Sequence, residues 1–144
     1  MSAKSFFPVV IAGAGPAGLS TAITLAQRGI AVCVIEPEYQ LVSKTGEVVS
    51  PGIGPLLERL GLLTTFENSA HLPCYGFRFR WGSDVPAEKL FIADRRGNGW
   101  QLDRCLFENQ LREKATALGV EIRYGQRIRD VQREENRWII QPEG

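Results

Sequence analysis

Residues 6–12 form a short apolar run rich in β-branched side chains, and Gly13-Ala14-Gly15-Pro16-Ala17-Gly18 follows it without a gap. An apolar run of this length that ends in glycine reads as a buried strand. Pro16 then suits the first turn of a helix, where its missing N–H costs nothing. Leu19, Ala22, Ile23 and Ala26 recur at helical spacing, and Gly29 provides a stop just past the end near Arg28. A second buried strand is expected over residues 30–35, closing at Glu36. Strand, glycine turn, helix and strand make a βαβ unit, whose handedness rule makes its two strands parallel.

Each glycine in the turn has a separate physical role. Gly13 lets the backbone leave the strand sharply. Gly15 lacks a side chain, so a pyrophosphate can approach the main chain. Gly18 lets the helix pack close to the strand. Free N–H groups and the positive end of the helix dipole then favour an anion at this point. Glu36, at the end of the second strand, is placed to accept hydrogen bonds from ribose hydroxyls and to repel a 2′-phosphate, which disfavours NADP. The combination points to the ADP half of a dinucleotide. The alternative readings are a structural glycine turn and a solvated acid at a strand end.

Composition excludes several other classes. The 144 residues carry a formal net charge of +1, with 23% charged and 44% hydrophobic residues. That balance favours neither nucleic acid nor an anionic membrane surface. No apolar run approaches the ~18 residues of a membrane span. The N-terminal Met1-Ser2-Ala3-Lys4-Ser5 lacks the apolar core of a secretory signal, so a cytoplasmic location is expected. Three cysteines at wide spacing and one histidine give no zinc pattern and no disulfide framework, so no metal site is expected.

The rest of the chain alternates helix and strand signals. Residues 39–50 read as a loop, residues 55–60 as a short helix stopped by Gly61, and residues 75–81 as a strand with one wet face. Residues 90–93 form another strand candidate. Asp103 is placed to cap a helix whose stripe is Phe107, Leu111, Ala115 and Leu118, supported by a Glu108/Arg112 pair and ended by Gly119. Residues 120–124 read as a strand. Residues 128–133 and 137–141 read as a hairpin joined by Glu134-Glu135-Asn136, with its arginines on the wet face. The expected fold class is α/β: a Rossmann-type βαβ domain with antiparallel hairpin elements.

The sequence from Val10 through Gly18 and Ala22 to Glu36 resembles the start of the glutathione-reductase-type-2 flavoproteins. Gly46-Glu47, Pro51-Gly52 and the Leu56-to-Leu62 stretch are similar to the halogenase-like branch of that group. So are Trp81-Gly82 and Gly99-Trp100-Gln101-Leu102-Asp103-Arg104. The resemblance implies FAD as cofactor, bound by Gly13, Ala14, Gly15, Pro16, Ala17, Gly18 and Glu36. It further implies Arg104 near the pyrophosphate or the middle of the flavin and Glu47 beside the isoalloxazine. An ordinary surface arginine and an ordinary loop carboxylate are the alternatives. Trp100 is read either as core packing or as flavin shielding, and His71 as a loop or half-buried histidine.

The same resemblance implies a flavin-dependent oxidoreductase, with a monooxygenase as the leading reading. Its substrate would be a small aromatic molecule or a protein-borne aromatic group such as a tryptophan. NAD(P)H or a flavin reductase would be the electron source. No catalytic acid or base stands out. The family pattern continues past its hairpin into a Gly-Asp segment that has no counterpart up to Gly144, so residues 1–144 are expected to be an N-terminal, incomplete FAD-binding domain of a longer flavoenzyme. The halogenases' lysine-bearing motif is also missing. A halogenase, a geranylgeranyl-reductase-like enzyme and a non-catalytic nucleotide-binding module are the rival readings.

Overall fold

The computed structural model of the chain describes residues 5–39 and 47–143. In chain order the first elements are β1 (Val9–Ala12), α1 (Pro16–Ala26), β2 (Val32–Glu36), β3 (Glu47–Val49), α2 (Ile53–Leu60) and α3 (Leu63–Glu67). Next come β4 (Leu72–Cys74), β5 (Gly76–Phe79), β6 (Ala87–Leu90), β7 (Gly99–Leu102) and α4 (Arg104–Ala117). The chain closes with β8 (Glu121–Tyr124), β9 (Arg127–Glu134) and β10 (Arg137–Glu143). These elements fall into two compact units. One combines Met1–Val42 with Leu111–Gly144, and the other is Ser43–Gln110, so α4 contributes turns to both.

The first unit is built on a parallel sheet of order β1-β2-β8. The central strand β2 reads Val-Cys-Val-Ile because its first four residues are all buried. Its register pairs Val9 with Val32 on one side and Glu36 with Tyr124 on the other. Helix α1 packs on β2 and β1 through Leu19, Ala22 and Ile23, all fully buried. On its exposed side the hydroxyls of Thr21 and Thr24 donate to the carbonyls of Ala17 and Ser20, one turn back. The helix ends two residues earlier than the periodicity suggests, and Gly29 follows in the left-handed region at φ +75°. Leu111, Ala115 and Val120 complete this core.

The expected hairpin is present as β9 and β10, antiparallel, with Glu134 opposite Arg137 and a two-residue loop. Three of its arginines are partnered on its surface: Arg129 by Glu143, Arg137 by Glu134, and Arg133 over the Trp138 ring. Sheet residues Val10, Ala12, Cys33 and Ile35, with Trp138 and Ile140 of the hairpin, bound an apolar cleft of about 520 Å³.

The second unit has an antiparallel sheet, β3-β7-β4, and a separate two-stranded hairpin, β5-β6. Its core is Phe66, with Leu57, Leu62, Phe91, Leu102 and Phe107. Phe66 meets Phe107 and Trp100 edge-on, at 5.9 and 5.4 Å between centroids. Helix α2 starts at Ile53, two residues before Pro55, and Gly61 ends it at φ +66° as expected.

Several expectations need correction here. The loop expected over residues 39–50 contains β3; residues 40–46, including Gly46, lie outside the described residues. The strand expected at residues 90–93 sits three residues earlier as β6, leaving Ile92 exposed. Trp81 lies outside β5 and is 91% exposed, so the alternation does not extend to it. Strands β4 and β7 and helix α3 have no clear sequence signal: each is five residues or fewer, and β4 contains Pro73.

Candidate functional site

The glycine turn has the geometry its sequence implies. Gly13 adopts φ +93°, and its N–H donates to the Ile35 carbonyl at 2.8 Å, tying the turn to the neighbouring strand. A Cβ on Gly18 would overlap the Gly13 carbonyl oxygen and crowd Ile11, so only glycine allows α1 this close to β1. A Cβ on Gly15 would meet nothing, which leaves the main chain open on that side.

The N-terminus of α1 is uncapped. Gly15 occupies the N-cap position with no side chain to cap it, and Pro16 follows. The first helical bond runs from the Leu19 N–H to the Gly15 carbonyl at 2.9 Å, so the N–H groups of Ala17 and Gly18 precede the ladder. Two adjacent donors at a helix N-terminus beside an open glycine are suited to an anion such as a diphosphate.

Glu36 closes the same site. Its Oε2 accepts the Ala14 N–H at 2.6 Å and its Oε1 accepts the Glu38 N–H at 3.0 Å. Two main-chain donors thus fix the carboxylate at the mouth of the glycine turn. A carboxylate has about four lone-pair sites, so acceptor capacity remains for two hydroxyls. The structure therefore brings Gly13, Ala14, Gly15, Pro16, Ala17, Gly18 and Glu36 together in the first unit.

Glu47 and Arg104 meet in the second unit. Arg104 lies in the first turn of α4, which Asp103 caps by accepting the Leu106 N–H at 2.9 Å, as the sequence suggests. Its guanidinium bonds Glu47 and, at 2.6 Å, Glu108. Burial leaves the Arg104 side chain 13% exposed, and the Glu108 and Glu47 carboxylates hold its pKa above the ordinary arginine value. Its Nε–H is buried without a hydrogen-bond partner. The sequence pairs Glu108 with Arg112 at a spacing of four; the structure bonds it to Arg104, at the same spacing on the other side.

His71 lies in the loop before β4, as one of its two readings has it, but is buried rather than half-buried, 4.3 Å from Phe66 between centroids. Its Nδ1 accepts the Asp103 N–H at 3.2 Å, which makes the neutral Nε2–H tautomer the fitting one. Burial lowers its pKa below the usual histidine value. Trp100 packs against Phe66, the first of the two roles expected for it. All three cysteines are free thiols, and burial raises the pKa of Cys33. Among the described residues no helix is long and apolar enough to cross a membrane.

A parallel sheet, an uncapped helix behind a glycine turn and a pinned acid on the next strand define a dinucleotide-binding fold, and the chain belongs to the FAD-binding domain family, whose model matches residues 7–138. FAD is accordingly its cofactor. The chain is 27% identical to a 1H-pyrrole-2-carbonyl peptidyl-carrier-protein chlorinase of Pseudomonas fluorescens, over 88% of this chain and 32% of that protein. It is 30% identical to the rifampicin monooxygenase of Streptomyces venezuelae, over 90% of this chain and 27% of that protein. Among solved structures it is similar to the myxobacterial chondrochloren halogenase, with a TM-score of 0.83 and 27% identity, over 94% of this chain and 32% of that one. The chain thus spans about a third or less of the length of these relatives.

Proposed function

We propose that this chain is the part of a flavin-dependent monooxygenase that holds the ADP half of FAD. The observation that carries the reading is the joint geometry of the uncapped α1 N-terminus and Glu36. The Ala17 and Gly18 N–H groups bind the diphosphate, Gly15 admits it, and Pro16 sets the entry into the helix without a competing donor. Glu36, steadied by the Ala14 and Glu38 N–H groups, accepts the adenosine ribose hydroxyls. Gly13 and Gly18 keep the turn tight enough for this placement.

Arg104 and Glu47 are further candidates for contact with the cofactor. The buried, unpartnered Nε–H of Arg104 supports that assignment, because a buried donor without an acceptor is costly. Glu47 and Glu108 hold the guanidinium in place. When bound, FAD supplies the redox chemistry, and the protein supplies position and exclusion of water. The substrate is an electron-rich aromatic group, free or carried on a protein, with electrons from NAD(P)H or a flavin reductase. The enzyme acts in the cytoplasm.

Halogenation is the second reading, favoured by the likeness to the chondrochloren halogenase. The cofactor assignment is tested by titrating the chain with FAD and following flavin fluorescence. Replacing Glu36 by Ala removes a charged acceptor and is expected to weaken binding at least tenfold, since hydrogen bonds to charged groups are worth ~1.5–3 kcal/mol. Unchanged affinity in that variant would reject the ribose role. Assaying the whole protein for oxygenated against halogenated product separates the two chemistries.

A further inference from the structure

Asp103 is the single residue between β7 and α4, and three of its groups make hydrogen bonds. Its carbonyl accepts the Phe107 N–H at 3.0 Å and its carboxylate accepts the Leu106 N–H at 2.9 Å, and these two bonds start the helix. Its own N–H serves neither element. The β3–β7 register ends at Leu102, opposite Glu47, and a residue ahead of the first helical turn has no carbonyl one turn back to donate to. The N–H donates instead to His71 Nδ1 at 3.2 Å.

The His71 ring is held so that this nitrogen can accept. The Phe66 ring of α3 lies 4.3 Å from it at 34°, and the Phe107 ring of α4 meets it edge-on at 6.3 Å. The other ring nitrogen, Nε2, is buried without a hydrogen-bond partner among the described residues. A phenyl ring would fill the same space without that cost, so packing does not account for a histidine here. The acceptor at Nδ1 does, because a neutral imidazole is an aromatic ring that can accept a hydrogen bond.

This bond lies one residue before Arg104. The Nη1 and Nη2 atoms of Arg104 bond Glu47 and Glu108, and Glu47 is the register partner of Leu102. The end of β7, the start of β3 and the first turn of α4 therefore meet at residues 102–104. Displacing Asp103 turns the start of α4, and with it the direction in which the guanidinium leaves the helix. We infer that His71 is a positioning residue for the cofactor: through the Asp103 N–H it fixes the first turn of α4 and so aims Arg104, with its unpartnered Nε–H, at FAD. This rests on the assignment of Arg104 to cofactor contact. His71 acts only through Asp103.

The test measures the FAD affinity of the chain by flavin fluorescence, alongside circular dichroism to confirm folding. His71→Phe keeps the aromatic packing, removes the acceptor and is expected to weaken FAD about tenfold, within the usual range of coupling between sites. His71→Leu does the same with a smaller side chain and stands in if the phenylalanine variant does not fold. His71→Asn carries an amide oxygen where Nδ1 stands, and its affinity is expected to return to within about threefold of wild type. Arg104→Gln is expected to weaken FAD about tenfold, as the loss of a charged donor does. Adding His71→Phe to Arg104→Gln is expected to weaken it no further, because residues acting through one contact are not additive. Wild-type FAD affinity in a folded His71→Phe or His71→Leu, or full additivity in the double variant, would overturn the inference: a merely structural histidine lowers stability without coupling to Arg104. If Arg104→Gln weakens FAD and His71→Phe does not, only the positioning role fails. If Arg104→Gln binds FAD as wild type does, the Arg104 assignment fails and the inference fails with it.

Discussion

At the scale of single residues, the glycine turn is constrained at Gly13 by its positive φ and at Gly18 by a close contact. Gly18 faces the Gly13 carbonyl across a gap with no room for a methyl group. Gly18→Ala must therefore push α1 away from β1, at a cost of about 1–3 kcal/mol for overpacking. A lowered thermal midpoint together with lost FAD affinity is the expected outcome. His71 makes a different prediction, because its pKa is lowered by burial from the usual 6.5. The unfolded chain takes up a proton near pH 6.5 while the native one resists it. The stabilisation is therefore complete above pH 6.5 and declines as pH falls toward the native pKa. Denaturant melts between pH 8 and 5 should show this slope, and His71→Gln should flatten it. Cys33 is buried in β2 with a raised pKa, so it should resist thiol reagents until the first unit unfolds. A mass shift at Cys33 under native conditions would contradict this.

At the scale of elements, the β9–β10 hairpin carries a local conflict. Glu135 opens its two-residue loop at φ +46°, and no other described non-glycine residue has positive φ. A left-handed conformation costs an ordinary L-residue roughly 1–2 kcal/mol, and two-residue loops of this kind favour glycine at their first position. Glu135→Gly is expected to raise the thermal midpoint, reflecting a gain of roughly 0.5–1 kcal/mol after the entropy cost of glycine. An unchanged or lower midpoint would show that the loop is not strained. The hairpin was readable beforehand because its strands alternate and its break is abrupt. Strand β7 was not, although it is the central strand of the second unit's sheet. Four residues reading Gly-Trp-Gln-Leu carry too little periodicity, and what holds them is pairing with β3 and β4.

At the scale of the whole molecule, the exposed apolar side chains call for explanation. Ile92 is 94% exposed and Trp81 is 91% exposed, with Leu90 and Val85 also in solvent in the same stretch of chain. Two-stranded hairpins such as β5–β6 are marginal by themselves, and apolar groups this exposed favour association. The chain is expected to self-associate as its concentration rises, and Trp81→Lys with Ile92→Lys to suppress that by light scattering. A chain that stays monomeric at every concentration tested would argue that these side chains are harmless.

The sequence by itself determined the local features. Glycines at positive φ, a strand that is apolar throughout, a proline in a first helical turn and an acid at a strand end each constrain the few residues around them. From these, the βαβ unit and the glycine–acid pair were legible, and with the later motifs so was the FAD-binding family. The tertiary structure decided what depends on distant partners. Arg104 meets Glu47 across 57 residues of chain, and His71 is buried by an aromatic cluster drawn from Phe66 and Phe107. Tyr39 settles on Gly125 only because β8 pairs with β2. Such contacts depend on how loops close and which faces pack, and no periodicity within a short window records either.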